Sequence, residues 1–144
     1  MGAWPFSEDE WRAVSDAALA VVNAGMAEDE VLNASHLITL REVLADLRSR
    51  HGDHPWLLET EADFGDEDSE RVELYEQAVR IATVYDMQTL TIRLALAQTF
   101  LNACQSAKAR EALLACRDEA DDTKDSSDRQ EWADLLAECE RRIA

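Results

Sequence analysis

Residues 58–78, LETEADFGDEDSERVELYEQA, and residues 96–116, LAQTFLNACQSAKAREALLAC, align without a gap at an offset of 38. Leu58 falls on Leu96, Glu59 on Ala97 and Ala62 on Phe100. Further along, Arg71 falls on Ala109, Tyr75 on Leu113 and Ala78 on Cys116. The apolar and small positions mostly coincide, and each stretch reads as two helices joined by a short connection. One amphipathic hairpin cannot bury its own apolar face. Hairpins laid side by side bury one another's, and about three are needed for stability.

Leu96, Ala97, Phe100 and Ala109 stand at the spacing of the tetratricopeptide repeat, with Leu113 and Cys116 as softer versions of its later positions, and the chain resembles that family over about residues 55–120. The upstream unit keeps Leu58, Ala62, Tyr75 and Ala78. Glu59 stands there in place of a small residue, and Arg71 in place of Ala. The period also departs, at 38 against the family's period of about 34, with the extra length between units. No Pro closes the second helix, where Thr83 and Asp121 stand instead.

The resemblance implies an all-α fold, a right-handed stack of antiparallel helical hairpins (a TPR-like α-solenoid) with about seven helices. Stepping 38 residues back from Tyr75 and Ala78 reaches Leu37 and Leu40, which makes residues 1–52 a helix pair and a candidate degenerate first unit. Residues 55–122 would be two TPR-like units and 126–144 a capping helix, all within one domain, 1–144. The first helix of each unit would then line a concave surface. Trp56, Leu94 and Trp132 are equivalent positions there. Thr60 and Gln98 form a second row, and Asp63, Phe64, Leu101 and Asn102 lie a turn further on. Such a strip suits an extended or helical peptide. Trp56 reads equally well as groove or core, and burial is the expectation for Trp132. The family's carboxylate-gripping groove needs Lys, Arg and Asn at these rows. Only Asn102 and Arg93 or Arg129 are at hand, so no chaperone-tail clamp is expected.

Outward from this region, the helix signals are plain. Ser7 and Glu10 form a capping box, flanked by Phe6 and Trp11 at the positions of a hydrophobic staple. Trp11, Val14, Ala18, Val21 and Val22 share one face, and Gly25 reads as the stop. A second helix is expected over about Glu28–Arg50, with Val31, Leu32, Leu37, Leu40, Val43, Leu44 and Leu47 as its stripe. Pro55–Phe64, Ser69–Tyr85, Met87–Cys104, Ser106–Ala120 and Asp128–Ile143 follow. In the fourth helix Val72, Tyr75, Val79 and Ala82 are expected inward, and Asp86 is expected to cap the fifth.

Composition narrows the function. Only 4 Gly and 2 Pro in 144 residues, 47% of them apolar, argue for helices and against disorder. A net charge of −17 repels phosphate backbones and anionic lipid, so neither nucleic acid nor a membrane surface is an expected partner. The N-terminus lacks a basic region followed by an apolar stretch, so no secretory signal is read. Cys104, Cys116 and Cys139 are widely spaced with no C-x-x-C, and His36, His51 and His54 have no i, i+4 partner, so no zinc site is expected. Reduced buried thiols in a cytoplasmic protein fit better. His36 reads as an interior or edge histidine. The acidic run from Asp121 fails as a calcium loop, with Ser126 at its sixth position and Trp132 at its twelfth. No nucleophile–base pair, cofactor fingerprint or metal set emerges. The expected function is a non-enzymatic module that binds a protein or peptide in a concave groove, without cofactor or metal. The alternative is an acidic neutralising protein, of immunity type, that captures a basic partner electrostatically.

Overall fold

A computed structural model describes residues 4–144; residues 1–3, the start of the segment read as an N-terminal pair, lie outside the described residues. Among the described residues the chain is all-α. Its helices are α1 Glu8–Met26, α2 Glu30–His51, α3 Pro55–Asp63, α4 Asp68–Val84, α5 Leu90–Asn102, α6 Ser106–Ala115, α7 Arg117–Asp122 and α8 Ser126–Ile143. They pack largely as sequential neighbours. Eight helices stand where about seven were expected. The expected sixth helix is broken at Cys116 (φ −116°, ψ 23°), which splits off α7. The chain divides into two compact units, one up to Leu57 and one from Leu58.

In the first unit, α1 and α2 form an antiparallel hairpin. The Ser7 hydroxyl accepts from the Glu10 amide at 3.1 Å, and the Glu10 carboxylate accepts from the Ser7 amide at 2.9 Å, which completes the capping box. Glu10 also holds His51 at 2.8 Å and Arg50 at 2.9 Å at the far end of α2. The Ser7 amide first and the His51 hydrogen bond next hold the Glu10 carboxyl down to about 2. Val14, Ala17, Val21 and Ala24 of α1 are buried, as are Leu40, Leu44 and Leu47 of α2. Trp11, Val22, Val31 and Leu32, expected on the inward faces, are exposed.

Gly25 does not end α1. The helix runs on to Met26, the Ala27 amide donates to the Asn23 carbonyl, and Glu28 takes the left-handed conformation at φ 57°. A Cβ at Gly25 would meet only ordinary van der Waals contact, 3.4 Å from the Asn33 amide nitrogen, which donates to the Val21 carbonyl at 2.8 Å. Asp29 caps α2 by accepting from the Leu32 amide at 3.0 Å.

Phe6 is the hub of an aromatic cluster in this unit. Its ring centroid lies 5.0 Å from those of Trp4, His51 and Trp56 and 5.1 Å from that of His54. His54 is almost wholly buried, whereas His36 is half-buried. The Trp56 amide donates to His54 Nδ1 at 3.1 Å, so the neutral ring carries its proton on Nε2, which meets no acceptor among the described residues. Burial first, then the neighbouring His51, lowers the His54 pKa below its ordinary 6.5. A base with a depressed folded pKa contributes stability that is complete above 6.5 and is lost as pH falls below it. Thermal melts of the full chain should therefore drop as pH falls below 6.5. His54→Asn, which keeps an acceptor for the Trp56 amide, should flatten that fall; an unchanged slope would place the titration elsewhere.

In the second unit, α4 and α6 begin at Asp68 and Ser106 and so keep the 38-residue spacing of the sequence. Leu58 and Leu96 are both buried, as are Ala62 and Phe100, Tyr75 and Leu113, Ala78 and Cys116, and Ala82 and Ala120. α5 packs against both α4 and α6, and α8 packs on α5, α6 and α7. Helix α5 starts later than expected, at Leu90. Asp86 does not cap it; Asp86 sits at φ 55° in the turn that closes α4, and Thr89 occupies the N-cap position. The Thr89 amide and hydroxyl both donate to the Glu119 carboxylate, at 2.8 and 2.7 Å, and so tie this turn to α7.

Candidate functional site

Helix α4 is apolar over a wide arc. Tyr75, Ala78 and Ala82 enter the core, while Val72 and Val79, one strip round the helix, are half-buried. Val72 and Val79 face an open groove of about 830 Å³ between α4 and α6, floored by Leu96 and Phe100 of α5. Ala112 lines it from α6. Asp68, Glu76 and Arg80 of α4, Arg93 of α5, and Lys108 and Glu111 of α6 also line it, so three acids meet three bases. In a chain of charge −17 this is a locally balanced patch. The Lys108 ammonium lies 6.0 Å from the Phe100 ring centroid, and Arg93 Nε donates to the Thr89 hydroxyl at 3.0 Å. Arg80 is exposed and makes no hydrogen bond or ion pair among the described residues. An apolar floor with charged edges of both signs can seat an amphipathic segment.

None of the nine residues placed in the expected concave rows lines this groove. Leu94 is buried in the core and, like Leu101, presents almost no surface. Trp132 is half-buried. Its Nε1 donates to the Leu113 carbonyl at 2.7 Å, and the Arg117 guanidinium lies 5.7 Å from its ring. Trp56 is half-buried in the aromatic cluster of the first unit, 4.8 Å from Trp4 between ring centroids. Gln98 and Asn102 are exposed and bonded to each other at 3.0 Å. Thr60 is half-buried. The Asp63 carboxylate accepts from the Tyr75 hydroxyl. The signal for the groove was present in the sequence as Val72 and Val79, seven apart on a helix that already had a full core face.

A second cluster of titratable groups lies between α3, α4 and α5. Arg71 Nε donates to the Ala62 carbonyl at 2.9 Å, and Arg71 Nη2 lies 3.5 Å from the Tyr75 hydroxyl. Gly65 leaves room for this: a Cβ there would lie 2.9 Å from Arg71 Cγ. Glu59 is pushed up to about 7, by burial first and then by Asp63, against a hydrogen bond with Thr91. An acid with a raised folded pKa stabilises the fold below its ordinary 4.5, and that contribution is lost as pH rises through about 7. Glu59→Gln should therefore raise the melting temperature at pH 8 and change it little at pH 4.5. Equal effects at both pH values would contradict the assignment.

Burial pushes the Cys116 thiol up to about 11 and raises that of Cys139, so neither is a thiolate at neutral pH. Among the described residues no group of His, Cys, Asp and Glu is placed to hold a metal, and no helix is long and apolar enough to cross a membrane. Neither a family model, nor a curated protein, nor a solved structure matches the chain.

Proposed function

We propose that the chain is a non-enzymatic interaction module that docks a helical segment of a partner protein in the α4–α5–α6 groove. The observation that carries this is the open groove between two helices that both pack on α5, walled by the half-buried Val72, Val79 and Ala112 above the largely buried Leu96 and Phe100. The α4 edge from Asp68 to Arg80 runs for about 18 Å at the rise of an α-helix, enough for some three turns of a bound helix. The balanced rim favours a partner helix with an apolar stripe and charges of both signs. In the same reading, residues 58–84 and 96–122 are two degenerate TPR-like hairpins of a right-handed stack, supported by the shared spacing of their helix starts and buried positions. The acidic-capture alternative gains nothing from a groove whose charges cancel, and would have to act through another surface.

The test is co-purification of the partner from the native host with three forms of the chain. Val79→Arg should lower the yield of a specific partner by about tenfold. Gln98→Ala combined with Asn102→Ala, on the row drawn from the sequence, should leave the yield unchanged. The reverse pattern would move the site to that row, and indifference to both would remove the groove from the function.

A further inference from the structure

Two of the chain's four tryptophans stand half in water at the start of the first unit, Trp4 at 52% and Trp11 at 45% exposed. With Phe6, Ser7 and Glu8 they line one open pocket of about 350 Å³. That is near the small end of the range for ligand sites, about 300–1,000 Å³. The capping box between Ser7 and Glu10 fixes the stretch of backbone that carries Glu8 and leads into Trp11. Trp4 is braced by three further rings. Its centroid lies 5.0 Å from that of Phe6, 4.8 Å from that of Trp56 and 5.8 Å from that of His54. Trp11 makes no ring contact with Phe6 among the described residues, so the expected staple stays open and the pocket lies along it. An indole that is held in place and still keeps half its surface in water is a preformed wall.

The chemistry of the lining selects the occupant. Glu8 is its only charged side chain, among three aromatic residues. Ring faces carry negative charge and attract a cation, and a carboxylate beside them adds to that attraction. The positive end of the helix dipole opposes a cation here, and the acids of the first turn, Glu8, Asp9 and Glu10, offset it. A primary ammonium is compact and strongly hydrated, and would lose that water on entry. A methylated ammonium spreads its charge over its methyl groups, sheds little hydration and packs against the rings. Glu8 is paired with Arg12 at 2.5 Å, but both side chains are mostly exposed, so this guanidinium is a weakly held competitor. We propose that Trp4, Phe6 and Trp11 form an aromatic cage for a trimethylammonium group, with Glu8 as its counter-ion. The cage shares no residue with the α4–α5–α6 groove and does not depend on it.

The test uses the full chain, isotope-labelled on its tryptophan indoles and read by NMR. Choline is the first probe, with its neutral carbon isostere as control. A short peptide carrying trimethyllysine is the second, with the same peptide carrying unmodified lysine as control. Choline or the trimethyllysine peptide should shift the indole signals of Trp4 and Trp11 and leave that of Trp132 in place, and neither control should shift them. Trp11→Ala should weaken binding by about tenfold, with circular dichroism to check that the fold survives. Glu8→Gln should weaken it and remove most of its salt dependence. Arg12→Gln should tighten it, because Glu8 is then left to the ligand; a merely structural effect would not strengthen binding. A response to choline supports the cage and assigns it to a free small molecule, and a response to the peptide alone supports it and assigns it to a modified side chain of a partner. No shift with either probe, equal shifts with the neutral isostere, or unchanged binding in Trp11→Ala would overturn the proposal. Weaker binding in Arg12→Gln would overturn the role given to Glu8.

Discussion

Phe6→Ala should lower the unfolding free energy by about 3–5 kcal/mol in urea titration. Phe6 is 6% exposed, and four rings close around it at 5.0–5.1 Å between centroids. Truncation removes buried apolar surface and leaves a cavity lined by bulky aromatics that relax little. It also loosens the packing around His54, whose Nδ1 receives the Trp56 amide at the first turn of α3. Trp11 is the built-in control. It holds the other staple position but is 45% exposed, so Trp11→Ala should cost clearly less, about 1–2 kcal/mol. Equal losses in the two variants would mean that the cluster does not hold this end of the hairpin.

Leu113→Ala should cost about 2–5 kcal/mol. Leu113 is fully buried at the position equivalent to Tyr75, and its carbonyl takes the Trp132 indole proton at 2.7 Å. The cavity therefore opens where α6 meets α8. Trp132→Phe probes the same junction by a different route. It keeps an aromatic ring but deletes the indole N–H and part of the ring's bulk, so its cost should be about 1–3 kcal/mol, below that of Leu113→Ala. The two variants should fail to add, because they share a contact. Strict additivity would mean that α8 does not cover Leu113.

Much of this architecture could be read from the sequence, and the reasons are local. Ser7 and Glu10 announce α1 because a capping box is satisfied within four residues. The starts of α4 and α6 stand 38 residues apart, as the offset between the two stretches of sequence leads one to expect. What was hidden depends on tertiary context. Apolar residues on α1, α2 and α4 occupy more than one face, and periodicity alone does not say which face is covered. Trp11, Val22 and Val31, expected inward, are exposed for that reason, whereas Val72 and Val79 pack against the core while also facing the groove. Gly25 carries the usual mark of a helix stop, yet α1 runs one residue past it, and Glu28 takes the left-handed conformation in the turn. Three turns use Glu28, Asp86 and Cys104 at positive φ, where a sequence reading looks for glycine. The family pattern directs attention to the first helix of each hairpin, where Leu94 and Leu101 are buried, and away from the α4–α6 side.

Photo-crosslinking tests the central claim most directly. A benzophenone side chain placed at position 79 should trap the partner, and the same group at position 98 should not. Adducts from position 98 alone would contradict a site between α4 and α6.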